Sequence, residues 1–105
     1  MTTIFIGEKK RPFKFGINAM RTFCKATGKK INDLDSLEMD DFDSIIEIMF
    51  AGLEQGARMA QQDVDFDSYI VGLWLDDVEA DVIPKAFASM TDQLAVKKKA
   101  KKVTK

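Results

Sequence analysis

The sequence predicts a mainly α-helical fold: a small domain of about four helices with a short N-terminal β-hairpin or extended pair and a disordered basic C-terminal tail. Three observations lead there. Phe42, Ile45, Ile46, Met49, Phe50 and Leu53 recur at i, i+3, i+4, i+7, i+8 and i+11, the spacing of one helix face, with acids between them. Thr2–Ile6 is β-branched and aromatic, the composition of a strand. Beyond Leu94 the chain carries six lysines and no apolar stripe. With 105 residues, 46% apolar and 31% charged, it can build one core without a disulfide or structural metal. The expected organisation is a single domain over 1–96, with the β element at 1–16 and helices over 17–96, ahead of a flexible lysine-rich tail over 97–105.

Gly7–Arg11 is polar and Pro12–Phe15 alternates apolar and basic residues, so the second limb of the ribbon is expected at 12–15 with Phe13 and Phe15 on one face. A two-stranded ribbon alone is marginal in water. It must lie on the helices or pair with another copy, and an exposed edge is an assembly candidate. Ile17, Met20, Phe23 and Cys24 place helix one at 17–27, stopped by Gly28. Ile31, Leu34 and Leu37 then sit three apart among polar residues, a connector with room for a helical turn.

The main stripe places helix two at about 39–61, where Asp40, Asp41 and Asp43 meet the unpaired N–H groups and the positive end of the helix dipole. Gly52 and Gly56 each weaken a helix by about 1 kcal/mol relative to alanine, so they mark either close approach of another chain or fraying. Phe66, Tyr69, Ile70, Leu73 and Trp74 share a face of helix three at about 66–76. Ile83, Phe87, Met90 and Leu94 define helix four at about 82–96, with Asp81 as its cap and Pro84 in the first turn, where proline is tolerated.

Charge falls into three blocks. Residues 1–30 carry eight bases against Glu8 alone, a net +7; residues 31–94 carry sixteen acids against Arg58 and Lys85, a net −14; the last eleven add six lysines, which leaves −1 for the chain. One reading packs the basic start against the acidic body and leaves the remaining acids to solvate the helices. Another docks a basic partner on that body.

Several function classes are excluded or weakened. There is no histidine and one cysteine, Cys24, so the usual zinc sites, Ser/His and Cys/His nucleophile pairs and an internal disulfide are absent. No cofactor and no enzymatic activity are expected. Asp63, Asp65 and Asp67 alternate as in a calcium loop, but Ser68 and Trp74 stand where that loop needs glycine and glutamate, so these carboxylates read as caps. The longest apolar or glycine run, Tyr69–Leu75, is far short of the roughly 20 residues that span a bilayer. The start lacks a signal-peptide core, and with the lone thiol this points to a cytoplasm. The tail lysines have no interleaved aromatics for base stacking, and the acidic body repels polyanions, so nucleic-acid binding is not expected.

What remains is adaptable apolar surface. Most of the eight phenylalanines and six methionines belong to the core, but a small helical domain has more amphipathic face than it can bury alone, and Phe42, Ile46, Phe50, Tyr69, Trp74 and Phe87 are the candidate lining of a groove for another helix or a second copy. By residues alone, the chain is an acidic helical binding module.

The order of features resembles the tail assembly chaperones of long-tailed (siphovirus-type) bacteriophages and prophages. The resemblance is carried by Phe13-Lys14-Phe15-Gly16-Ile17-Asn18-Ala19-Met20-Arg21, Thr27-Gly28, the spaced Ile31, Leu34 and Leu37, Ile45 to Leu53 ending in Ala-Gly-Leu, and the acid-capped aromatic block Val64–Trp74; it spans roughly residues 13–95. It implies a non-enzymatic protein of the host cytoplasm, absent from the mature virion, that binds and solubilises the helical, aggregation-prone tape measure protein while the tail tube forms. It also implies, for many such phages, a longer frameshifted form that recruits tube protein. The codons of Lys97, Lys98, Lys99, Lys101 and Lys102 are the candidate frameshift-encoding region, against the alternative of a plain solubilising tail. The competing function is an acidic helical adaptor or regulator that binds a basic protein.

Overall fold

A computed structural model describes the backbone of residues 1–38 and 40–103 and the side chains of 1–34, 36–38 and 40–95. The elements in order are β1 (Thr2–Ile6), β2 (Lys9–Phe13), α1 (Ile17–Thr27), a 3-10 turn (Ile31–Ser36), α2 (Phe42–Met59), α3 (Ser68–Leu75) and α4 (Val82–Val103). The domain is thus mainly helical behind an N-terminal antiparallel hairpin. The backbone of α4 is helical to Val103, past the expected end of helix four at 96; the side chains of Lys97, Lys98, Lys99, Lys101 and Lys102, in the expected tail, lie outside those described.

The hairpin is tighter than the polarity pattern suggests. β2 begins at Lys9, not at Pro12, because Gly7 and Glu8 both take positive φ (60° and 68°) and close a two-residue turn, so that Ile6 pairs with Lys9 and Thr2 with Phe13. Two left-handed residues are the requirement of a type I′ turn, whose twist matches that of the strands. Ile4, Ile6 and Phe13 point inward and are buried, while Thr3 and Phe5 point out.

β2 lies directly on α2. A Cβ on Gly56 would stand 2.2 Å from the Pro12 carbonyl oxygen, and one on Gly52 would stand 2.2 Å from the Phe13 ring. The two glycines therefore serve close approach, and the approaching segment is the chain's own hairpin. The Lys14 N–H donates to the Gly52 carbonyl (3.0 Å) and continues the contact past the strand. One turn on, Gln55 Oε1 accepts from the N–H groups of Gly16 (2.9 Å) and Ala19 (3.0 Å), so a side chain of α2 caps α1, whose own Gly16 has none to offer.

α1 spans the expected residues and ends at Gly28, φ 73°, whose N–H returns to the Cys24 carbonyl. The expected α2 start at 39 moves to Phe42, with Asp41 as cap accepting from the Ser44 N–H. α3 is shorter than expected, Ser68–Leu75, because Asp67 caps it through the Ile70 N–H (2.9 Å) and leaves Phe66 in the preceding loop. Phe13, Phe15, Phe23, Ile48, Met49 and Val71 are fully buried at the centre of the core. On α4 the buried positions are Val82, Ala86, Met90 and Leu94, one residue earlier than the expected Ile83 and Phe87, which are half-buried.

These contacts set the sign of two glycine substitutions. Gly56→Ala should destabilise the protein by about 1–3 kcal/mol in urea unfolding, because backbone of β2 must give way. Gly72→Ala in α3 meets only the flexible end of Ile46 at 3.4 Å, and should be neutral or stabilising by up to about 1 kcal/mol through helix propensity. Equal effects at both sites would contradict the packing described.

Candidate partner-binding surface

A half-buried arginine joins the hairpin to α3. Arg11 shares the inward face of the ribbon with Ile4; its Nε donates to the Ile6 carbonyl (2.9 Å) and a terminal nitrogen donates to the Gly7 carbonyl (3.2 Å). The guanidinium lies 4.2 Å from the Trp74 ring centroid and 5.5 Å from that of Phe66, close enough for cation–π attraction to both. Burial lowers its pKa from the ordinary value and nearby Asp65, at 4.0 Å, opposes that shift. Phe66 packs edge-on to Phe50 (centroids 5.9 Å) and tilted on Trp74 (5.5 Å). The turn itself touches Trp74, since a Cβ on Gly7 would stand 2.5 Å from the indole.

Two shallow depressions flank this cluster. One, about 520 Å³, runs between Phe5, Gly7 and Glu8 of the hairpin and Leu73, Trp74, Val78 and Glu79 on the other side. The second, about 340 Å³, continues along Thr3, Ile4 and Phe5 opposite Glu79, Val82 and Lys85. Phe5 and Leu73 are each about half exposed (54% and 51%), a large fraction for residues of their size. Glu8, Asp77 and Glu79 stand around the first depression with no base among its lining residues.

The apolar surface extends from there. Tyr69, 75% exposed, sits one turn before Leu73 on the same face of α3. α3 runs antiparallel to α2: Phe66 meets Phe50, Ser68 Oγ donates to Glu47 (2.9 Å), and Gly72 faces Ile46. Phe42, 69% exposed, lies one turn before Ile46 and so belongs near the far end of α3.

The six candidate residues read from the sequence thus divide. Phe42 and Tyr69 stand exposed on this surface, and Ile46 is half-buried beneath it against Gly72. Phe50 and Trp74 belong to the aromatic cluster that supports the surface, so a charge at Phe50 would break the support. Phe87 packs half-buried against the core from α4. The single aromatic face expected of helix three is split: Ile70, Val71 and Trp74 turn in, while Tyr69 and Leu73 turn out. Phe5 and Leu73 were not among the candidates. For Phe5 the available signal was the alternation in Thr2–Ile6, because facing Ile4 and Ile6 inward requires Phe5 to point outward.

The acids are divided as well. Among the described residues, two ion pairs join the basic start to the acidic body, Arg11 with Asp65 and Lys29 with Asp41 (3.6 Å). Hydrogen bonds from the Ser44 hydroxyl (2.8 Å) and N–H, with a smaller contribution from Lys29, hold the Asp41 carboxyl below its usual pKa. Asp77, Glu79 and Asp81 remain exposed beside the depressions.

Two measurements follow from this geometry. Trp74 is the chain's one tryptophan, so Arg11→Ala should shift its fluorescence to the red and lower stability by about 2 kcal/mol; an unchanged spectrum would place the guanidinium elsewhere. Because the Asp41 pKa is depressed by folding, its contribution is present above the ordinary carboxylate pKa and is lost as pH falls through the folded value. Ser44→Ala should therefore lose less stability than the parent between pH 5 and pH 2.5, read from urea midpoints; parallel acid limbs would contradict the assignment. Compared with known proteins, the chain matches no protein-family model, no curated protein and no solved structure.

Proposed function

We propose that this chain is a tail assembly chaperone of long-tailed bacteriophage type, which binds and solubilises the tape measure protein while the tail tube assembles. The observation that carries the reading is the set of exposed large apolar side chains, Phe5, Leu73, Tyr69 and Phe42, beside exposed carboxylates. Apolar side chains on rigid elements mask the hydrophobic face of a client, and the surrounding negative charge keeps the complex dispersed. The order of sequence features, from the basic Phe13–Arg21 segment to the Val64–Trp74 block, supports the same reading. Release to tube subunits requires modest affinity, which a shallow surface supplies. A longer frameshifted form joined near Lys97–Lys102 would recruit the tube protein, and the work would be done in the host cytoplasm with none of the chain in the finished virion.

An acidic adaptor for a basic protein is the second reading, favoured by the exposed Asp77, Glu79 and Asp81. Co-expression with the tape measure protein of the phage or prophage that encodes the chain separates the two. Phe42→Asp with Tyr69→Asp, both at exposed positions, should leave the circular dichroism spectrum intact and reduce soluble tape measure protein at least fivefold. Undiminished solubilisation would remove the apolar surface from the account. Loss on Asp77→Lys with Glu79→Lys, but not on the aspartate substitutions, would favour the adaptor.

A further inference from the structure

The two depressions follow the outer edge of β1. In a hairpin closed by a two-residue turn the flanking pair, Ile6 and Lys9, exchanges hydrogen bonds, and the pairs alternate from there. Ile4 and Thr2 therefore bond to β2, while the N–H and C=O groups of Phe5 and Thr3 point away from it. Among the described residues, no backbone bond outside the hairpin ladder ends on Thr3 or Phe5. The other edge of the ribbon is interrupted at its inner end: the residue opposite Thr3 is Pro12, which has no N–H, and α2 approaches the Pro12 carbonyl through Gly56, which leaves Lys10 as the outward-facing position of β2. β1 thus has an unpaired edge at Thr3 and Phe5, with α4 packed against the strand and a depression running from Thr3 to Glu8.

We propose that this edge accepts an extended partner segment as a third strand, one that alternates apolar residues with lysine or arginine. Backbone groups of Thr3 and Phe5 supply the pairing, and Phe5, Leu73 and Val78 receive apolar side chains. The charge of the walls selects the occupant. Glu8, Asp77, Glu79 and Asp81 line the two depressions together with Lys10 and Lys85, and among the charged lining residues the half nearest the turn holds Glu8, Asp77 and Glu79 alone. A second copy's β1 carries no charged side chain from Thr2 to Ile6, and twofold pairing would set the two acidic walls near each other. A basic, apolar strand satisfies both features of the groove. This rests on the reading of the chain as a partner-binding protein and specifies how one segment of the partner is held.

The test uses the full chain and an eight-residue acetylated, amidated peptide of alternating valine and lysine, followed by amide NMR with hydrogen exchange. Binding should slow exchange at Thr3 and Phe5 at least tenfold, with Ile4 and Ile6 already protected in the unbound protein. Methylating alternate peptide nitrogens, or introducing Thr3→Pro in the protein, should weaken binding at least tenfold, whereas Thr3→Ala should not. The methylated peptide decides the matter even if the proline variant fails to fold. No binding at 1 mM, equal binding of the methylated peptide, or equal binding of a valine–glutamate peptide would overturn the proposal. So would a dimer in solution that Thr3→Pro dissociates, since the edge would then belong to a second copy. Peptide binding as expected, with tape measure solubilisation unaffected by Phe42→Asp and Tyr69→Asp, would retain this inference and reject the chaperone surface.

Discussion

The structure depends on how closely β2 approaches α2. Without side chains at Gly52 and Gly56, the ribbon sinks until Phe13 and the Pro12 backbone touch the helix. That position brings Phe15 beneath α1, where it packs edge-on to Phe23 (centroids 6.5 Å), and lets Gln55 cap the start of α1. It also sets the far end of the hairpin where Arg11 can cover Trp74. A two-stranded ribbon gains its stability from this seat, since its own ladder is marginal. The helix gives up propensity at two positions for it, and the packing of Phe13, fully buried, offsets that loss.

From the seat of the hairpin the proposed binding surface follows. Arg11 ties the turn to α3 through two carbonyls and two aromatic faces, so β1 and α3 are held at a fixed separation with the first depression between them. The apolar groups on view are carried by regular elements, Phe5 by a strand and Leu73, Tyr69 and Phe42 by helices, and need no ordering when a partner arrives. Charge is partitioned to match. Arg11 and Lys29 spend their charge on Asp65 and Asp41 within the fold, while acids beside the depressions face outward. A surface that is apolar at its centre and negative at its margin favours apolar partners with basic flanks and repels further copies of itself.

The sequence made the local features legible. The 17–27 helix and its Gly28 stop follow from apolar spacing and one glycine, both short-range signals, and the Asp41 and Asp67 caps come from residue types whose chemistry acts within three positions. Features set by distant partners were harder to read. Gly52 and Gly56 leave close approach of another chain and fraying open in the sequence, and the hairpin they actually receive is not legible there because Pro12 and Phe13 lie some forty residues away. The second strand was displaced from Lys9 to Pro12 because the polar Lys9 and Lys10 hide a strand whose burial begins only at its end. Helix three departs from its expected single face for a related reason: an eight-residue helix with apolar residues around most of its circumference has no single face until α2 and the hairpin occupy two of its sides. Phe50 and Trp74 looked like surface anchors for the same cause, since spacing does not reveal that Phe66 and Arg11 cover them.

The central claim is that the face formed by β1, α3 and the start of α2 meets the client. Hydrogen–deuterium exchange of the chain, alone and in complex with the tape measure protein, reads that face directly. The account predicts slowed exchange confined to residues 3–8, 42–46 and 69–79. Protection concentrated instead over Ile17–Thr27, with residues 3–8 and 69–79 unchanged, would contradict it.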